Sequence, residues 1–178
     1  MKIIKTFFDA VHYIEMPRFD DRRGSFIKLY KDNELQQLGI HVHFKESYFS
    51  ISEKNVIRGM HFQVPPADHE KYVCITHGAV RDVIMDLRKD SPTYGHVADI
   101  VLSAENHRAL FIPKGFAHGF LSLKNHTIMN YLVSSEYSPE YDSGILWNSI
   151  GYDWGVTSLI MSDRDKRFLP FSKFNSPF

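Results

Sequence analysis

Hydrophobic runs along this chain are short, because charged or polar residues interrupt nearly every one after a few positions. Gly, Pro, Asn and Asp recur between the runs, which is typical of short strands joined by turns. The segments predicted as strands are β-branched or aromatic and are bounded by turn residues. They are Phe26 to Tyr30, Lys45 to Ser52, Val73 to Thr76, Val80 to Leu87, Val97 to Leu102, Ala109 to Ile112, Gly119 to Leu123 and Ile128 to Ser134.

Helical periodicity is scarce. One helix of about two turns is predicted, with Asp32 as its N-cap and an end before Gly39. His77-Gly78 is a candidate tight turn that would make a hairpin of the strands on either side. Many short strands with regularly spaced turns indicate an all-β antiparallel sandwich or barrel. The 14 Phe and 9 Tyr residues are enough to fill its interior.

Composition adds limits to this picture. With 178 residues and 43% hydrophobic content, the chain is predicted to form one domain over 1–178, with an irregular C-terminal tail that covers the barrel or a partner. Because 21 basic and 21 acidic side chains cancel, we expect no nucleic acid or membrane partner. No segment reaches the roughly 20 apolar residues of a membrane span. The single cysteine, Cys74, excludes an internal disulfide framework and favours a cytoplasmic location.

Candidate chemistry centres on His61. It lies in Arg58-Gly59-Met60-His61-Phe62-Gln63, beside an arginine, and Lys71 follows ten residues later. The ordinary pKa of imidazole lies near neutrality, so a modest shift lets it take a carbon-bound proton and return it. Basic neighbours can bind an anion. From these residues alone, a hydrogen-bonded structural histidine is the favoured interpretation.

Several sequence motifs occur together in this chain. The most specific are the Arg58 to Gln63 segment and the run Pro113-Lys114-Gly115-Phe116-Ala117-His118-Gly119-Phe120. Others, in chain order, are Asp21-Arg22-Arg23-Gly24, Gly78 to Arg88, Ser91-Pro92-Thr93-Tyr94-Gly95 and Ser162-Asp163-Arg164-Asp165. Together these motifs resemble the dTDP-4-dehydrorhamnose 3,5-epimerase family. The resemblance implies a cupin-type jelly-roll, a homodimer, no metal or redox cofactor, and a role in making deoxysugars for surface polysaccharide.

The resemblance also implies a reaction and its residues. The family inverts carbons next to the ketone of a nucleotide-linked 4-keto-6-deoxy sugar, at C3 and C5 or at C3 alone, through an enolate. His61 matches the base, Asp165 its carboxylate partner, Tyr131 the acid, and Lys71 the donor to the enolate oxygen. The positions that match substrate-binding residues are Arg23, Arg58, His118, Tyr137, Asp142 and Arg164. Asp142 replaces a family glutamate and Arg164 a family lysine, so both charges are kept.

Three further pocket positions depart from the family pattern. Lys28 replaces a glutamate, Glu46 a glutamine and Tyr48 an asparagine. We predict that Lys28 and Glu46 face each other as an exchanged charge pair, which would alter recognition of the sugar or nucleotide. Tyr48 and Lys28 could also limit epimerisation to C3.

Three alternative functions remain open from the sequence. A metal-dependent cupin such as an oxygenase is suggested by the spacing Pro113-x-Gly115-x-x-His118, although the paired histidines of such a site are missing. His41 and His43 have the pair spacing but are predicted to lie on the surface. A nucleotide-sugar 3,4-ketoisomerase would share the barrel and a histidine base. A non-catalytic sugar-nucleotide binder would not need His61, Tyr131 and Asp165 together.

Overall fold

A computed structural model describes all residues from Met1 to Phe178, and strands dominate it. The strands are β1 (Lys2–Phe7), β2 (Val11–Glu15), β3 (Arg18–Asp21), β4 (Gly24–Ile27), β5 (Glu46–Ser52), β6 (Ile57–Gln63), β7 (Lys71–His77), β8 (Ala79–Asp86), β9 (Val97–Ser103), β10 (Arg108–Ile112), β11 (Phe116–Ser122), β12 (Thr127–Val133) and β13 (Asp142–Gly144). One α-helix, α1, spans Asp32–Gln37, and single 3-10 turns span Trp147–Ser149, Asp165–Arg167 and Phe171–Lys173.

Two antiparallel sheets form the body of the fold. Sheet 1 has the order β1-β2-β10-β7-β12-β5, and sheet 2 has the order β13-β6-β11-β8-β9. A cluster of 13 buried residues fills the space between them, to which sheet 1 contributes Val73 and Leu110 and sheet 2 contributes Ile84 and Phe120. This is the all-β barrel of two packed sheets that the strand pattern predicts.

Both sheets are also covered on their outer faces. Leu35 of α1 packs with Tyr72 and Cys74 on the outer side of sheet 1. The C-terminal part of the chain covers sheet 2, where Trp154, Phe171 and other residues pack against the strands. Apolar residues of the tail therefore lie over the barrel, which is one of the two locations that the sequence left open. Because β7 is covered on both sides, it is buried continuously from Lys71 to Ile75.

The predicted hairpin at His77-Gly78 is wrong. β7 belongs to sheet 1 and β8 to sheet 2, so Gly78 lies where the chain crosses between the sheets. Gly78 has a φ of +79°, and a Cβ there would lie 2.4 Å from the Oγ1 of Thr127. A glycine fits because the crossing needs both a left-handed backbone and a close approach. A local turn signal cannot tell such a crossing from a hairpin.

Other predictions need smaller adjustments. The helix is present, but Lys31 rather than Asp32 is its N-cap residue. The strand predicted from Phe26 to Tyr30 ends at Ile27 and forms the separate hairpin β3–β4, which joins neither sheet. β1, β2, β3, β6 and β13 were not predicted. None of the helices has the length and apolar character needed to cross a membrane.

Candidate active site

A cavity of about 350 Å³ opens between the two sheets. Ten of the residues singled out from the sequence line it. From sheet 1 and the segment after it come Glu46, Tyr48, Lys71, Tyr131 and Tyr137, and from sheet 2 and the C-terminal segment come Arg58, His61, His118, Asp142 and Arg164. Candidate groups that lie as far apart in the sequence as Glu46 and Arg164, 118 positions, therefore share one space.

A bulge in β6 brings Arg58 and His61 to the same side of the strand. His61 pairs with His118 and Arg58 with Phe120, so two residues of β6, Gly59 and Met60, oppose one residue of β11. Strict alternation would put Arg58 and His61 on opposite faces, and the extra residue reverses this. Gly59 is needed here because a Cβ would lie 2.5 Å from the Cα of Gly119.

His61 is held by a buried carboxylate. Its Nε2 donates to Oδ1 of Asp165 at 2.9 Å, and the backbone N–H of Gly59 donates to Oδ2 of Asp165 at 3.1 Å. Asp165 is only 3% exposed and begins the 3-10 turn that packs against β6. Because a carboxylate only accepts, Nε2 carries the proton and Nδ1 is the nitrogen left free to act as a base.

Burial and hydrogen bonding shift the pKa values of both His61 and Asp165. Burial lowers the pKa of His61 below its usual value, although hydrogen bonding to Asp165 opposes the shift. Burial acts to raise the pKa of Asp165, but hydrogen bonds from His61 and Gly59 outweigh it and hold that pKa below its ordinary range. The dyad is therefore a neutral imidazole beside an ionised carboxylate at neutral pH, which is the state a general base needs.

Lys71 brings an ammonium group into the cavity. It is 8% exposed, and its Nζ donates to the backbone carbonyl of His61 at 3.2 Å. Burial lowers the pKa of Lys71 to about 8, while the charges of Asp142 and Asp82 act in the opposite direction. A desolvated ammonium of this kind interacts strongly with any negative charge that develops beside it.

Tyr131 stands on sheet 1, whereas His61 stands on sheet 2. Tyr131 is 8% exposed, and burial raises the pKa of its phenol, so the phenol keeps its proton. His118 lies next to Tyr131 in an edge-on arrangement, with ring centroids 6.5 Å apart. The Nε2 of His118 contacts both carboxylate oxygens of the fully buried Asp82, at 3.0 and 2.9 Å.

Polar groups form the mouth of the cavity. A carboxylate oxygen of Glu46 accepts from the backbone N–H of Tyr137 at 2.8 Å. The Tyr137 hydroxyl donates to Asp142 at 3.2 Å, and Arg164 donates to the same carboxylate oxygen. The ring of Tyr137 is 60% exposed, so it offers a flat apolar surface at the entrance. On the other side, Arg58 is anchored to Ser52 and the backbone of β5.

Three predicted site residues do not line the cavity: Asp165, which contacts it only through His61, and Arg23 and Lys28, which lie away from it. Arg23 is at the exposed tip of the β3–β4 hairpin, where it pairs with Asp21, and Lys28 follows β4. Lys28 makes no ion pair with Glu46, so the prediction of an exchanged charge pair within one chain is wrong. The physical reason is that the hairpin leaves the barrel, while Glu46 is fixed inside it by the backbone of Tyr137.

Six lining residues were missed from the sequence: Ser50, Phe62, Gln63, His69, Phe120 and Val133. Two of them brace the entrance segment. Gln63 accepts from the backbone of Ser138 at 2.7 Å and donates to the carbonyl of Ala67. His69 lies beside Gln63, and burial lowers its pKa to about 3. Period-two alternation from Tyr48 and Tyr131 could have found Ser50 and Val133, but His69 lies in a loop and gave no such signal.

Histidines outside the cavity do not assemble into a further site. His41 and His43 are exposed, as the sequence indicated. The chain has no group of three or more His, Cys, Asp or Glu side chains placed to hold a metal ion.

Comparison with known proteins gives a consistent result. The family model described as dTDP-4-dehydrorhamnose 3,5-epimerase matches residues 5–173. The dTDP-4-dehydrorhamnose 3,5-epimerase of Methanothermobacter thermautotrophicus is 42% identical over 174 residues, which are 95% of this chain and 94% of that protein. The enzyme of the same name from Escherichia coli is 42% identical over 171 residues, 94% of this chain and 92% of that protein.

Solved structures of the same family are also similar to this chain. The Bacillus anthracis dTDP-4-dehydrorhamnose 3,5-epimerase with TDP and PPi bound has a TM-score of 0.92 and 45% identity, and the match covers 94% of this chain and 97% of that one. The Legionella pneumophila dTDP-6-deoxy-D-glucose-3,5-epimerase in complex with dTDP-4-keto-L-rhamnose has a TM-score of 0.93 and 33% identity, with 98% and 94% covered. With its cupin-like barrel and its paired histidine and aspartate, this chain belongs to the dTDP-4-dehydrorhamnose 3,5-epimerase family of isomerases.

Proposed function

We propose that this protein epimerises a dTDP-linked 4-keto-6-deoxy sugar at C3 and C5, with His61 as the base and Tyr131 as the acid. One observation carries the proposal: an Asp-held imidazole and a protonated phenol stand on facing sheets of a single cavity. Inversion at carbon requires a proton to leave from one side and return from the other, so a base and an acid on opposite walls suit it. The relatives named above support the substrate.

The proton transfers follow from the geometry. Nδ1 of His61 takes the proton from the carbon beside the ketone, the C–H electron pair forms the enolate, and Asp165 stabilises the imidazolium. Lys71 donates to the enolate oxygen, a type of contact that can be worth about 3 kcal/mol. Tyr131 then gives its phenolic proton to the opposite face of the carbon. Both residues regain their starting states by proton exchange with solvent, so the net reaction is an isomerisation without a redox step.

Four other lining residues bind the nucleotide part of the substrate: Arg58, His118, Tyr137 and Arg164. Arg58 and Arg164 offer planar guanidinium groups that suit a diphosphate. His118, held by Asp82, adds a hydrogen-bonding group at the same wall. The exposed ring of Tyr137 suits stacking on a nucleotide base. The cavity of about 350 Å³ lies in the range of small-molecule sites.

A homodimer belongs to the same proposal. Arg23 and Lys28 match substrate-binding positions, yet they do not line the cavity of their own chain. The β3–β4 hairpin that carries Arg23 projects from the barrel and exposes Phe19 and Phe26 by 58% and 61%. A hairpin with two bare aromatic rings suits burial against a second copy, where its charged residues could reach the partner subunit's cavity.

Mixing two inactive variants tests that arrangement. His61→Asn removes the base and Arg23→Ala removes the hairpin contact. If the hairpin serves the partner subunit's site, a mixed dimer has one intact site, so mixing after subunit exchange restores about a quarter of the activity. If Arg23 served its own site, each variant chain would carry one damaged site and mixing would restore nothing.

The reaction itself is tested by NMR in deuterated water with dTDP-4-keto-6-deoxyglucose as substrate. We expect deuterium at C3 and C5 and inversion at both carbons. Deuterium at C3 alone would limit the reaction to one centre, and a product with its ketone at C3 would indicate a ketoisomerase instead. A thermal-shift panel of dTDP, UDP, GDP and CDP tests the nucleotide, because a ligand that binds only the folded state raises Tm. No exchange and no shift with dTDP would overturn the proposal.

A further inference from the structure

Tyr48 stacks on Tyr131 inside the cavity. The two residues pair directly across β5 and β12, so their side chains project from the same face of sheet 1. Their ring centroids are 4.6 Å apart, and the ring planes differ by 18°. This is the geometry of an offset-stacked aromatic pair. No other aromatic residue of β5 stacks on Tyr131.

The contact leaves Tyr131 with an aromatic neighbour on each of two sides. Tyr48 covers one face, and His118 meets the ring edge-on at 6.5 Å. His118 is itself fixed by the buried carboxylate of Asp82. The stack with Tyr48 adds an orienting contact on the more exposed side of the Tyr131 ring, since Tyr48 is 42% exposed and Tyr131 only 8%.

The hydroxyl group of Tyr48 makes no hydrogen bond within the chain. Neither a backbone nor a side-chain hydrogen bond joins that hydroxyl to the rest of the chain, whereas the neighbouring Glu46 is tied to the backbone of Tyr137. What the side chain contributes within the chain is its flat face. A phenylalanine could supply the same face, and an aliphatic side chain of similar volume could not.

From this geometry we infer that Tyr48 is a positioning residue for the acid: it holds the Tyr131 ring so that the phenolic O–H points at the carbon opposite His61. The inference rests on the proposed function, which assigns the acid role to Tyr131. It differs from a direct substrate contact, because Tyr48 acts through Tyr131. Its effect falls on proton return, not on proton removal by His61 or on nucleotide binding.

A pair of variants separates the stacking face from the hydroxyl. Tyr48→Phe keeps the ring, so inversion stays within about twofold of the parent rate. Tyr48→Leu keeps much of the volume without the stack, and inversion falls about three- to tenfold. In the same Tyr48→Leu samples, the first deuterium exchange at C3 and the Kd for dTDP change by less than about twofold. A loss of exchange or of dTDP binding equal to the loss of inversion would overturn the inference.

A double-mutant cycle with Tyr131→Phe sharpens the test. Once the phenolic proton is gone, Tyr48→Leu has nothing to orient, so it changes the residual inversion by less than about twofold. An undiminished effect of Tyr48→Leu in the Tyr131→Phe background would show that Tyr48 acts on the substrate directly, and the inference would fail while the proposed function stood.

A measurement without substrate completes the test. In protein labelled with ring-¹³C tyrosine, the Tyr131 signal is assigned as the one missing from the Tyr131→Phe spectrum. We expect slow ring flipping of Tyr131 in the parent and in Tyr48→Phe, and faster flipping in Tyr48→Leu. Equal flip rates in all three proteins would refute the positioning role even if the enzyme proved to act on a different sugar.

Discussion

Replacing Asp165 by asparagine keeps the His61 side chain and tests whether Asp165 holds it in the tautomer that can act as a base. In the parent, the two oxygens of Asp165 accept from Nε2 of His61 at 2.9 Å and from the backbone N–H of Gly59 at 3.1 Å. Asparagine has almost the same shape, but one of its two positions is an NH₂ donor. In either orientation of the amide, one N–H donor now faces another. The arrangement that avoids this keeps Gly59 bonded and turns His61 into the tautomer whose Nδ1 carries the proton.

The magnitude follows from that conflict. With Nδ1 protonated, His61 cannot take a proton from the substrate. Restoring the active tautomer leaves two buried donors unpaired, and each costs about 1–3 kcal/mol. The total of about 2–6 kcal/mol corresponds to a loss in kcat between about 30-fold and on the order of 10⁴-fold. Because the substrate contacts are untouched, the Kd for dTDP should change by less than about twofold.

The assay is the rate of deuterium entry at C3 in deuterated water, with thermal unfolding to verify the fold. Asp163→Asn is the matched control, since Asp163 lies two residues away and its side chain is 86% exposed in a surface pair with Lys166. Surface pairs of this kind contribute little, so the control keeps full activity. An Asp165→Asn enzyme within threefold of the parent exchange rate would refute the tautomer argument.

Three further predictions follow from the same structure. First, kcat/KM should be bell-shaped in pH: it rises as His61 loses its proton below its ordinary pKa of 6.5, and it falls as Lys71 loses its proton near its pKa of about 8. Lys71→Arg should remove the alkaline fall in a pH-rate series, because guanidinium stays charged there, and an unchanged fall would contradict the role of Lys71. Second, Tyr131→Phe should slow inversion by about 100-fold or more while deuterium exchange continues; equal loss of both in the NMR assay would mean that Tyr131 is not the acid. Third, Asp86→Asn should lower the free energy of unfolding by about 3 kcal/mol, since the buried Asp86 carboxylate pairs with Arg88 and two hydroxyls. The pKa of Asp86 is lowered to about 2, so its contribution is present above the ordinary carboxyl range and is lost as the pH falls towards 2. Urea titrations at pH 7 and pH 3 check both statements, with the exposed Asp90→Asn as control, and parent-like unfolding of Asp86→Asn would contradict them.

The local pattern of the chain determined where most strands lie. All eight predicted strands overlap strands in the structure, because β-branched and aromatic runs ending at turn residues are a property of neighbouring positions. β6 was not predicted because its bulge at Gly59 and Met60 interrupts the alternation of side chains between the two faces of the strand. The helix was found because its cap region and Leu35 are also local signals.

The sequence indicated which residues belong to the site, but it did not indicate how they are arranged in space. The resemblance of the motifs named His61, Tyr131 and Asp165, and the cavity brings His61 and Tyr131 together with Asp165 behind the histidine. Nothing in the sequence indicated that Tyr48 would lie flat on Tyr131, since that contact depends on the register between β5 and β12.

What the sequence by itself determined is therefore the class of fold, the position of most strands and the types of chemical group available. Only the tertiary structure decided that Gly78 crosses between sheets, that a bulge turns Arg58 and His61 to the same face, and that Arg23 lies outside its own cavity. The physical reason is that propensity and alternation act between neighbours along the chain, whereas strand partners, bulges and cavity walls are set by contacts between distant residues. The hydrogen bond from Gly59 to Asp165, 106 positions apart, is such a contact.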